Sequence, residues 1–143
     1  MEWTCDPHGR PRLPGIHDAT LRNLDLDPAA NRLAFCLNGA AGERLRFTFE
    51  AVDTLNIRQL GEAMIVDTIF VWRVSQVPPS FDADASAGWR HLLQGRVPEG
   101  EAQVRERARL RAKLPNGILA TVVGSYGGEL SVLAGSLQID EWN

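Results

Sequence analysis

His17 and Asp18 stand side by side in the stretch LPGIHDATL, directly after the Pro14-Gly15 turn. An imidazole next to a carboxylate can move a proton or hold a metal ion. Metal-dependent phosphohydrolases carry such a pair on a helix, with further His and Asp ligands. Here the chain has three histidines in all, His8, His17 and His91, and the doublet precedes a strand-like run. A metal-assisted hydrolase therefore lacks its partners. The doublet reads instead as a brace at a strand entrance, its side chains bonding turn backbone.

Cys5-x-x-His8 has zinc-like spacing, and His17 and Cys36 would complete four donors. Two of these four fall in an irregular lead-in. Cys36 lies on an alternating run, where it reads as a small buried hydrophobe. No metal and no cofactor is expected. Near the other end, GSYGG (124–128) fits neither G-x-S-x-G nor a phosphate loop followed by G-K-[ST]. Its glycines suit a tight turn. Ser125 and Tyr126, with His17 and Asp18, are the candidate binding residues.

The segment Arg105–Lys113 carries five basic residues against the single acid Glu106. It has no interleaved aromatics on which bases could stack. Glu101 and Glu106 offer local partners at helical spacing. A solvated helix face is the first reading, an acidic protein partner the second and nucleic acid the last.

These residues need elements to carry them. The 143 residues suit one domain, expected over residues 16–143 after an irregular lead-in at 1–15. Hydrophobic residues make up 44 % and charged ones 23 %, and the net charge is -3, so nothing global draws the chain to a polyanion. Two cysteines make no disulfide framework. The first residues contain no apolar signal core, and no apolar run approaches the roughly 20 residues of a membrane helix. A reducing cytoplasm and no membrane are expected.

Along the chain the period is two. Leu24 and Leu26 alternate with polar residues, DPAAN turns the chain, and Leu33, Phe35 and Leu37 alternate again, which predicts a hairpin. After NGAAG, Leu45, Phe47 and Phe49 face one way and Arg44, Arg46, Thr48 and Glu50 the other. Leu55 and Ile57 suggest a further short strand. Residues 63–77 are apolar on both faces, Met64, Val66, Phe70, Trp72 and Val74 on one and Ile65, Ile69 and Val71 on the other. Such a strand needs a helix or second layer over its outer side.

Pro78-Pro79 ends it. Trp89, Leu92 and Leu93, with Gly95 as a stop, predict a short helix within residues 80–98. Residues 99–114 have bases at every second position, yet their Ala, Arg, Leu and Glu content and acid-to-base polarity favour a helix with a thin stripe of Val104, Ala108 and Ala112, and Leu110 and Leu114 beside it. Ile118–Gly124 predicts a strand, Leu130–Ala134 a short element and Leu137–Ile139 a last strand. The expected fold is α+β, a mostly antiparallel meander of about six to eight strands with one or two helices inserted in the second half.

His17, Asp18, Ala19 and Leu21, with Ser125, Tyr126, Gly127 and Leu130, form a pattern. It resembles a loosely defined group of small bacterial proteins with a His-Asp-Ala/Ser-x-Leu opening, a β-meander and a Ser-Tyr-Gly-x-x-Leu stretch. Some of these resemble immunity proteins that neutralise contact-dependent toxins. Ala134 and Gly135 stand where that pattern leads one to expect a cysteine. The resemblance implies a bacterial origin and carries no activity with it. The functional expectation is a non-catalytic cytoplasmic interaction protein, immunity-like in its narrower form, that binds a protein partner through the sheet face of Arg44, Arg46 and Glu50. A small-ligand binding domain and a metal-assisted hydrolase are the alternatives.

Overall fold

The computed structural model describes residues 1–59, 64–76 and 100–142. Among these lie β1 (Thr20–Asp27), β2 (Arg32–Asn38), β3 (Arg44–Arg58), β4 (Met64–Arg73), a 3-10 turn (Val74–Gln76), α1 (Glu101–Lys113), β5 (Ile118–Gly124) and β6 (Glu129–Glu141). The helix expected within residues 80–98 lies outside the described residues. The strands are antiparallel throughout and close into a barrel in the order β1-β2-β3-β6-β5-β4.

A single meander is therefore a correction to make. The chain builds two three-stranded meanders, β1-β2-β3 and β4-β5-β6, and joins them at β3–β6 and β1–β4. Leu55 and Ile57 form no strand of their own but continue β3. Leu130–Ala134 and Leu137–Ile139 are likewise halves of one strand, β6.

The interior is filled. Phe35, Phe47, Phe49, Leu33, Leu37, Ile69, Leu130 and Ile139 are fully buried. The rings of Phe35 and Phe47 stack with centroids 5.1 Å apart. Burial of each aromatic ring stabilises by roughly 2–3 kcal/mol, and the stacking adds about 1 kcal/mol. A six-stranded barrel is too narrow to leave a lumen once such residues point inward. Sites of recognition must lie on the outside.

Period two holds only between bulges. In β4 the register slips between Val66 and Thr68, and every side chain after that point changes face. Met64, Val66, Ile69 and Val71 thus share the interior. Phe70, Trp72 and Val74 point out, which corrects the expected grouping. Trp72 and Val74 then pack with Leu110, Leu114, Leu119 and Leu133 in a second apolar cluster, so α1 supplies the outer cover that β4 requires. The helix predicted for 99–114 is present, but Leu110 holds it down, with Leu114 packed beside it; Val104, Ala108 and Ala112 are exposed.

Similar slips occur in β1 between Arg22 and Asp25, around Asn23 at φ 53°, and in β3 between Val52 and Thr54, next to Ala51 at φ 50°. Leu24 packs on the core, whereas Leu26 at the hairpin tip is 49 % exposed. Where β3 bends, it crosses Gly135 of β6. A Cβ there would stand 2.9 Å from that of Ala51, so the close approach requires glycine.

Residues before β1 extend the wall. Cys5 bridges Pro11, and the Asp6 carboxylate accepts from the backbone N–H groups of His8 (2.8 Å) and Arg10 (2.9 Å). This small hairpin lies along β4, where Val71 N–H donates to the Gly9 carbonyl (2.7 Å) and the Arg10 guanidinium covers Phe70 (5.7 Å).

Candidate functional site

The two motif blocks converge on the start of β4. Asp18 N–H donates to the Val66 carbonyl (2.9 Å), Val66 N–H to Ala19 (2.8 Å), and Ser125 N–H to Ile65 (2.9 Å). Asp18 adopts φ 62°, which turns the chain into β1. His17 Nδ1 donates to the Asp67 carbonyl at 2.9 Å, since a carbonyl can only accept. The imidazole also stands 3.7 Å from the Asp18 carboxylate and 3.8 Å from that of Asp67.

The Asp67 carbonyl, then the Asp18 charge, then the Asp67 charge raise the His17 pKa above its ordinary 6.5. This arrangement can hold a proton. The side chain of His17 is 71 % exposed, and Tyr126 is 86 % exposed at the tip of the β5–β6 turn. Chemically the ring and the two carboxylates form an open, solvent-facing group. Among the described residues no three His, Cys, Asp or Glu side chains gather to hold a metal ion. Cys5 and Cys36 are both free thiols. Burial and the neighbouring Asp6 charge push the Cys5 thiol up to about 11 against the opposing Arg73, so at neutral pH it is protonated and a poor nucleophile.

On the opposite side of the ring, Arg44, Arg46 and Glu50 lie on the outer face of β3, Arg44 and Glu50 exposed and Arg46 half-buried. On β6, Asp140 stands opposite Arg46 and Ser136 opposite Glu50, with Glu141 opposite the intervening Leu45. Just beyond that pairing, Trp142 N–H donates to the Arg44 carbonyl (2.9 Å), and the Arg44 guanidinium lies over the Trp142 ring at 5.9 Å. A cleft of about 520 Å³ opens beside them, lined also by Pro14, Gly42, Glu43, Leu45 and Glu141. Sequence reasoning found Arg44 but not Trp142. The two lie 98 positions apart in the chain, and only the β3–β6 register joins them.

A smaller cleft of about 180 Å³ lies between the N-terminal hairpin and β4, lined by Trp3, Cys5, Asp6, Gly9, Val71, Trp72 and Arg73. The helix α1 carries the basic segment. Its Arg109 pairs with Glu106 (2.6 Å) and its Lys113 with Asp53 of β3 (2.5 Å). The first bond follows the helical spacing, and the second anchors the C-terminal end of the helix to the barrel. No family model matches this chain, and no curated protein or solved structure does either. No helix among the described residues is long and apolar enough to cross a membrane.

Proposed function

We propose that the protein is a non-catalytic interaction module that binds a protein partner at the Arg44–Trp142 cleft and the adjoining Arg46–Glu50 face of β3. The Arg44–Trp142 pair, its guanidinium 5.9 Å above the ring centre, carries this reading. Arg and Trp are the residue types that most often anchor protein interfaces. A guanidinium laid on an indole loses little further freedom when a partner's carboxylate meets its edge. The filled barrel interior and the open setting of His17 and Asp18 support binding over catalysis. Free Cys5 and Cys36 suit a reducing bacterial cytoplasm, and the His-Asp and Ser-Tyr-Gly blocks support an immunity-type role.

Co-purification from the source cells tests the proposal. The wild-type chain should retain one stoichiometric partner, and Arg44→Ala with Trp142→Ala should release it without lowering the melting temperature. An isolated monomer that retains nothing overturns it. A toxin encoded beside the gene, neutralised on co-expression by the wild type but not by the double variant, would establish the immunity role. A second reading, a small-ligand site, has the volume of the same cleft in its favour. A ligand that raises the melting temperature of the wild type but not of Trp142→Ala would decide for it.

A further inference from the structure

We draw no further inference here: the strongest candidate, the cleft of about 180 Å³ between the N-terminal hairpin and β4, carries nothing, because the buried Trp72 indole N–H beside it, which has no acceptor among the described residues, is enclosed against Gly9 rather than open to the cleft, and with Asp6 and Arg73 setting opposite charges on its lining nothing in the structure shows what would fill it.

Discussion

The seam between β3 and β6 and the seam between β1 and β4 both close the same ring, and they are unequal. The first is laced by twelve residue pairs from Leu45–Glu141 to Arg58–Glu129. The second has two, Thr20–Ile65 and Leu21–Met64. Beyond these two, the edge of β4 is satisfied by Asp18, Ala19 and Gly9, which belong to the chain before β1. A ring of this kind need not be equally strong everywhere. One seam is secondary structure, and the other is completed by irregular chain held through single backbone bonds and packed side chains.

Mutations should separate the two. Phe47 lies on β3 inside the strong seam and is fully buried. Phe47→Ala should cost about 3–5 kcal/mol in urea unfolding and act on the whole domain. Gly9 sits on the weak seam at φ 78°, where a Cβ would stand 2.6 Å from the Trp72 ring. Gly9→Ala should cost about 1–3 kcal/mol. Its signature is local: in hydrogen exchange the Val71 amide should lose protection while those of β3 and β6 keep theirs. Equal loss on both seams would remove the distinction. Even in the wild type, the amides of Val66 and Val71 should exchange through local opening, ahead of the β3–β6 amides, which await global unfolding.

Smaller effects concern the anchors. Lys113→Ala should free the end of α1 and cost about 0.5–1 kcal/mol, less at high salt. The Lys113 bond, followed by that from Thr54, holds the Asp53 carboxyl below its ordinary 3.8. A depressed acid stabilises the fold above its unfolded pKa and stops doing so as pH falls through the folded one. The stability difference between wild type and Asp53→Asn should therefore vanish in acid below pH 3.8 and persist at neutral pH.

His17, on the weak seam, runs the other way. Its raised pKa means that it stabilises the fold fully below pH 6.5 and loses this as pH rises through the folded value. An NMR titration should place that value above 6.5. Asp18→Asn should lower it more than Asp67→Asn, because the Asp18 charge raises it more than the Asp67 charge does and the Asp67 carbonyl survives both changes. A His17 midpoint below 6.5 would show that the ring does not lean on this seam.

Much of the fold was legible in the residues. Leu45, Phe47 and Phe49 alternate with polar neighbours, and the strand is there. The helix over 101–113 was foreseen from composition and charge polarity, against the period-two spacing of its bases. What stayed hidden was which side of an element faces in. Asn23 tolerates positive φ and so hints at the β1 bulge, but Ala51 gives no sign of the bend in β3, and nothing near Asp67 marks the slip in β4. Of the candidate residues, Arg44 was visible in sequence and its Trp142 neighbour was not. His17 and Asp18 were correctly seen at a strand entrance, while the Asp67 backbone that receives the imidazole lies 50 positions away.

By itself the sequence determined the elements and most of the buried residues, because alternation, turn chemistry and helix propensity act between near neighbours in the chain. Only the tertiary structure decided the closure of two meanders into one ring, the phase of side chains beyond each bulge and the outward turn of Val104, Ala108 and Ala112. Those outcomes depend on pairing between distant strands. Shifting a strand by a single residue exchanges its inner and outer faces at no cost to local propensity, so only the packed whole can choose between them.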